Sequence, residues 1–379
     1  MNSIGDLSVY WFLKIFLILS LFWCGWGISY RNPQNKYFGL YAVIATVVYS
    51  VIEGLRWDRG VDYYNYYTEL LGYQFKDDYE PLYKLIIDTF SSLFPYWFSF
   101  IIYSAFFIIS FLLVLKHYPK YAVWALPLLF IITESASENL VRQFIGISFF
   151  LLGYNAYLNK KRITMFIFFL AVPLIHLSGV FVLAFFVLLY LFEFDKKMST
   201  PWILLGCYIL LYVVWDTANL SEYAQMLGSI SFLSGSQFEG YVDNADRWFT
   251  SEGSLSSLNN SGILSVFSVV FNILINLVII YYGFYLYKNN PSMRIPFWFV
   301  YFSIIIRLIG GDIELYNRFA TWLFYFIPLV VGGIMQSVDM GRLEKRIVLV
   351  IVFMAYIYPL IRSIGIMPYS GCSFVWDRL

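Results

Sequence analysis

The sequence predicts an all-α polytopic integral membrane protein of about twelve transmembrane helices, and three observations carry that prediction. Of the 379 residues, 60% are hydrophobic and 22% aromatic while only 13% are charged, and the mean hydropathy is +0.69. A chain this apolar has no aqueous core large enough to hide its side chains. Apolar windows of about 15 to 25 residues recur from end to end, near the length a helix needs to cross roughly 30 Å of hydrocarbon. The basic residues, thirteen Arg and twelve Lys, are divided unevenly among the connections between those windows.

The windows fall near residues 8–28, 37–55, 96–115, 121–134, 140–158, 163–175, 177–192, 200–216, 262–287, 295–309, 319–336 and 347–362. They are read as one transmembrane domain over 1–379. The sixth is short, and Pro173 interrupts its end. The first has no basic leader and no small-residue cleavage site, so it is expected to stay as a span. It carries Asp6 and no basic residue before Lys14, which places the N-terminus outside.

Alternation from that start collects fourteen of the 25 basic residues on the cytoplasmic side, against four of the 24 acids. They are Arg31, Lys36, Lys116, Lys120, Lys160, Lys161, Arg162, Lys196, Lys197, Lys288, Arg294, Arg342, Lys345 and Arg346, facing Glu193, Asp195, Asp339 and Glu344. The two sides carry net +10 and −9, as the positive-inside rule requires. The cytoplasmic connections are short, which leaves no room for a cytoplasmic nucleotide-sugar or ATP domain, and no Gly-rich phosphate loop before a Lys and a Ser or Thr occurs. Substrates are therefore expected as lipid-linked molecules at the outer face. No nucleic-acid partner and no cofactor are expected.

Two outside segments are long, 56–95 and 217–261. The first opens Arg56-Trp-Asp-Arg59-Gly-Val-Asp62-Tyr63-Tyr-Asn-Tyr66-Tyr and continues to Glu80-Pro81. Guanidiniums suit phosphate oxygens, and tyrosine rings suit sugar C–H faces. An interfacial aromatic belt accounts for single tyrosines but not for the Arg and Asp among them. Residues 82–94 show one apolar helical face with Lys84 and Asp88 opposite, as expected of a helix lying in the outer interface. The segment 217–261, with Tyr241, Asp243, Asp246, Arg247 and Trp248, reads as a lid over a glycan or as a connector.

Two further clusters lie at helix ends. Glu138-Asn-Leu-Val-Arg142-Gln143 puts an ionised side chain just inside an apolar run, either as a functional group or as an arginine paired with Glu138 one turn earlier. Arg307, Asp312, Glu314, Asn317 and Arg318 share a short polar turn, where the acids could simply neutralise the arginines. His176 falls at the outer turn between the sixth and seventh windows and titrates in a range useful for proton transfer. His117, beside Lys116 and Lys120, reads as interfacial. Eight of the eleven outer basic residues are Arg and nine of the fourteen cytoplasmic ones are Lys, an asymmetry that favours recognition of a pyrophosphate or sugar phosphate. No disulfide framework is expected from Cys24, Cys207 and Cys372, and no metal site from a single outer His and acids without ligand spacing.

The chain resembles the Wzy-type polysaccharide repeat-unit polymerases, specifically the EpsG-like branch, over most of its length. The resemblance rests on Gly54-Leu-Arg56, Gly60-Val-Asp62-Tyr63 with Tyr66, Glu80 with Tyr83, Arg142-Gln143, His176 with Ser178, and Asn317-Arg318. Phe319 departs from it, standing where the family tends to have Tyr. The resemblance implies a GT-C-like bacterial inner-membrane enzyme that joins undecaprenyl-pyrophosphate-linked oligosaccharides on the periplasmic face, beside a chain-length regulator and a flippase. It implies Arg142 and Arg318 on the leaving pyrophosphate, with Arg56, Arg59, Tyr63, Tyr66, Gln143, Arg307 and Asn317 as further substrate contacts. The acceptor hydroxyl needs a base, for which Asp62, Glu80 and His176 are the candidates. A ligase acting on another acceptor would share the donor arginines. A transporter of lipid-linked sugars would show repeated halves and polar groups near mid-membrane.

Overall fold

The computed structural model describes residues 4–30, 37–60, 62–73, 79–192, 198–215, 263–310, 314–366 and 372–377. The segment 217–261, Lys76 to Asp78 and Asp312 lie outside the described residues. The described chain is all-α apart from one short two-stranded ladder.

Its helices are α1 (Ile4–Tyr30), α2 (Phe38–Gly54), α3 (Tyr63–Leu70), α4 (Pro81–Leu93), α5 (Tyr96–Leu115), α6 (Ala122–Asn139), α7 (Val141–Leu158), α8 (Arg162–Ile175), α9 (Gly179–Leu191) and α10 (Trp202–Val214). After the segment 217–261 come α11 (Ile263–Asn289), α12 (Arg294–Gly310), α13 (Glu314–Phe324), α14 (Ile327–Ser337) and α15 (Arg342–Ile366). Each apolar window holds a helix, except the eleventh, which holds α13 and α14. That pair bends by 43° at the break, where Pro328 lacks the N–H that a continuous helix would use. By length and composition four described helices can cross a membrane, α1, α5, α11 and α12 in essence, and the bent pair makes a fifth. The 14 residues of α8 and the 13 of α9 extend only about 20 Å each. Several apolar helices of this kind fit a multi-pass membrane protein.

The chain forms two compact units. In the first (1–183, 331–336 and 356–379), α1 packs on α2 and α6, α2 on α5, α5 on α7, and α7 on α8. Gly54 allows the close approach of α2 to α5, since a Cβ there would meet Ile101 Cα at 2.5 Å. In the amphipathic α4, Tyr83 and Ile87 are buried with Phe100, Tyr103, Val141, Ile145 and Ile175, while Asp88 is exposed. Strand β1 (Arg56–Trp57) pairs antiparallel with β2 (Ser373–Phe374), Arg56 opposite Phe374, and Val375 N–H donates to Leu55 O at 2.9 Å. The end of the chain is thereby tied to the start of the 56–95 segment.

In the second unit (184–330 and 337–355), α12 packs on α13 and α11, and α10 on α11 and α12. Arg294 closes the end of α9 by donating to Leu189 O at 2.8 Å and Phe192 O at 2.9 Å, carbonyls that a helix end leaves unpaired. Ser303 donates to Ala320 O at 3.0 Å across the α12–α13 contact.

Candidate functional site

Glu80, Arg142 and His176 come from three separate stretches: the residue before α4, the first turn of α7, and the turn between α8 and α9. Pro81 starts α4 with its fixed φ and needs no cap for its missing N–H, so the Glu80 side chain is free to reach elsewhere. Its Oε2 accepts from Arg142 Nη1 at 3.1 Å, and its Oε1 accepts from the Leu177 N–H at 2.8 Å. One buried carboxylate therefore ties all three stretches together. His176 ends α8 in an extended conformation, is buried, and places Nδ1 2.9 Å from Ser178 Oγ.

The Arg142 guanidinium lies 5.0 Å from the Tyr79 ring centroid and 5.5 Å from that of Tyr83. Its side chain keeps 22% of its exposure against 8% for Glu80, so the cation, unlike the carboxylate, opens outward. The two phenols donate to opposite oxygens of Glu69, Tyr79 to Oε1 and Tyr83 to Oε2 at 3.0 Å. Burial, with the Glu69 carboxylate second, raises the pKa of both phenols above the ordinary tyrosine value, so they remain donors. Tyr66 is pushed up to about 12 by burial, with the Arg142 charge opposing. Gln143, next to Arg142 in the chain, is buried. A guanidinium framed by aromatic faces, with one edge on a carboxylate, suits an anionic oxygen group flanked by sugar surface.

A second constellation lies deeper in the same unit. Lys14 Nζ is 2.6 Å from Glu53, 3.7 Å from Glu134 and 3.6 Å from Glu138. Arg59 Nε donates to both oxygens of Glu138 at 2.7 Å, and Nη2 donates to Glu134 at 3.2 Å. Tyr10 donates to Glu134 at 3.1 Å and to Glu138 at 3.0 Å, with the Arg59 guanidinium 4.5 Å from its ring. Arg56 borders the group, donating to Glu53 O and, at 3.2 Å, to Ser137 O. Three cations thus accompany three carboxylates, all buried, which is the condition for retaining ionised groups there. Gly60 makes the approach of Arg59 possible. Its φ is +100°, and a Cβ would fall 2.5 Å from Glu138 O.

The structure corrects one pairing. Arg142 and Glu138 do not share a helix turn, because Leu140 (φ −110°, ψ 44°) separates α6 from α7. Glu138 instead holds Arg59 and Lys14, and Arg142 holds Glu80. Tyr63 is turned inward: it stacks on Phe100 at 5.2 Å and donates to Arg56 O at 3.2 Å. Asp62 precedes α3, and its backbone carbonyl accepts from Tyr66 N–H. Arg307, Asn317 and Arg318 belong to the second unit. There the Arg307 guanidinium sits 3.9 Å from the Phe324 centroid, Asn317 O accepts from Thr321 at 2.7 Å, and Arg318 is half-buried in α13.

Sequence reasoning missed Glu69, Glu53, Glu134 and the role of Lys14. The signal for Lys14 was available, since a lysine ten residues into an apolar helix is expensive without partners. Glu69 had no such signal, because acids are common in a polar connection between apolar helices.

The all-α architecture, with several apolar helices that fit a multi-pass membrane protein, carries a guanidinium–aromatic–carboxylate cluster in its first unit. Residues 39–371 match the model of the EpsG family, and the chain belongs to that family. The family is associated with polysaccharide polymerisation. The match spans the Glu80–Arg142–His176 site but leaves out Tyr10, Lys14 and the β2 strand. No curated protein and no solved structure matches the chain.

Proposed function

We propose that this protein is a glycosyltransferase that joins undecaprenyl-pyrophosphate-linked oligosaccharide repeat units on the periplasmic face of the bacterial inner membrane. The reading includes twelve crossings in a GT-C-like arrangement with the N-terminus outside, and a chain-length regulator and a flippase as neighbours. The observation that carries it is the Arg142 guanidinium, stacked on Tyr79 and Tyr83, held by Glu80 and linked through that carboxylate to the His176 turn.

In the reaction, the bond between the sugar anomeric carbon and the pyrophosphate oxygen breaks, and the acceptor hydroxyl oxygen bonds to that carbon. The electron pair leaves on the lipid pyrophosphate and the hydroxyl proton passes to a base. Arg142 stabilises the charge growing on the leaving group without reorganising, because its partners already fix its plane. Arg318, with Arg307 and Asn317, serves a phosphate of the donor or acceptor lipid. Of the three candidate bases, Glu80 has both oxygens committed to donors, so it positions Arg142 and the turn. His176 is assigned the proton transfer. An imidazole that takes a proton at Nε2 carries its own at Nδ1, where Ser178 Oγ is the acceptor. Asp62 and Tyr66 line the acceptor side, and Arg56, Arg59 and Tyr63 act by shaping the loop that carries them.

The test is to incubate the detergent-purified protein with the undecaprenyl-pyrophosphate repeat unit of its host, without nucleotide, and resolve the products by length. A ladder of lipid-linked oligomers supports the reading. Unchanged monomer from folded protein overturns it and directs attention to ligation on another acceptor or to lipid flipping.

A further inference from the structure

Glu69 has no role in the chemistry above, yet it is almost fully buried at the end of α3 and both of its oxygens accept from tyrosines of the Arg142 site. The two rings meet edge to face, with centroids 5.3 Å apart and planes at 78°. Aromatic pairs favour that arrangement, and the two bonds to one carboxylate hold both hydroxyls at once, where each phenol alone could rotate about its side-chain bonds. A phenol that donates to a carboxylate also gains ring electron density, which strengthens its attraction for a cation on its face.

Resting on the reading of Arg142 as an anion-binding group, we infer that Glu69 is a positioning residue that fixes the Arg142 guanidinium toward a phosphate or pyrophosphate group by clamping Tyr79 and Tyr83. Glu69 and Glu80 then divide the work. Glu80 holds one edge of the guanidinium, and Glu69, through the two rings, holds its plane. The aromatic partners leave the in-plane N–H groups as the way to bind, which selects planar, bidentate recognition of phosphate oxygens over a diffuse positive potential.

The experiment measures binding of inorganic pyrophosphate to the full chain in detergent, with thermal melting recorded for each variant. The set is Glu69→Gln, Glu69→Asp, the Tyr79→Phe/Tyr83→Phe double variant, the triple combination with Glu69→Gln, and Arg142→Ala. Glu69→Gln is expected to weaken binding on the order of tenfold, the double phenylalanine variant by a similar factor, and the triple by no more than either. Glu69→Asp, which keeps the charge, is expected to restore part of the loss. Should Glu69→Gln not fold, the double phenylalanine variant tests the same clamp, because it removes only the two hydroxyls. Unchanged affinity in Glu69→Gln or in the double variant, with binding abolished in Arg142→Ala, overturns the clamp and leaves the Arg142 site standing. Unchanged affinity in Arg142→Ala overturns the site reading and the clamp with it.

Discussion

Replacing Lys14 by methionine keeps an unbranched apolar stem and removes the ammonium group with its charge and N–H donors. In the folded chain Lys14 is 1% exposed, 2.6 Å from Glu53 and within 3.7 Å of Glu134 and Glu138. The three carboxylates would then face Arg59 and Arg56 alone, and Glu53 would lose the one ion-pair partner it has among the described residues. Breaking a buried pair by removing one partner costs about 3–5 kcal/mol, which lowers the folded-to-unfolded ratio by roughly two to four orders of magnitude. The companion change Glu53→Gln leaves two carboxylates opposite two guanidiniums, so the double variant should recover about 2 kcal/mol of the loss. The assay is equilibrium unfolding in mixed dodecylmaltoside and dodecyl sulfate micelles, followed by tryptophan fluorescence, for the parent, both single variants and the double. A Lys14→Met protein within about 0.5 kcal/mol of the parent, or a double variant less stable than Lys14→Met, would refute the argument that charge balance holds this group together.

Further outcomes follow from the same geometry. Arg142→Lys should fold normally yet lower polymer formation about a hundredfold or more, because the ammonium keeps the charge but loses the fork and the stacking on Tyr79 and Tyr83; product ladders timed against the parent check this. Gly60→Ala should destabilise by about 1–3 kcal/mol, read as an earlier unfolding midpoint, since φ +100° and the Glu138 carbonyl both exclude a Cβ. Ending the chain after Gly371 removes β2 and the Val375–Leu55 bond and should loosen the 56–60 turn, seen as faster amide exchange there. The buried phenols give a pH dependence of definite sign. A tyrosine whose folded pKa is raised contributes stability that is complete below the unfolded value, about 10, and lost as the pH rises toward the folded one, about 12 for Tyr66. Stability should therefore fall above pH 10, and Tyr66→Phe should flatten that fall.

The helices were legible because their cause is local. An apolar run of the right length has few alternatives in a bilayer to satisfying its own backbone hydrogen bonds, and α5 begins and ends where its window does. The eleventh window misled only at Pro328, whose missing N–H splits it in two. The candidate site was legible in part. Arg142 and His176 stood out because a charged or titratable group beside an apolar run needs a reason, and Glu80 stood out beside Tyr83 in the family pattern. What paired with what was not legible. Glu138, four residues from Arg142, suggested itself as the partner by helix periodicity, yet the one-residue break at Leu140 turned it toward Arg59 and Lys14.

The sequence by itself determined the apolar helices, the uneven distribution of the charges among the connections, the segment rich in arginine and tyrosine, and the family. Those properties depend on hydropathy and charge, which each residue carries wherever it lies. Only the tertiary structure decided that Glu80 would bridge Arg142 and Leu177, that Glu69 would take both phenols, and that Lys14 would meet carboxylates 39, 120 and 124 positions away. Ionic and hydrogen-bonded partnership acts over about 3 Å, and which groups come that close is set by how the helices pack.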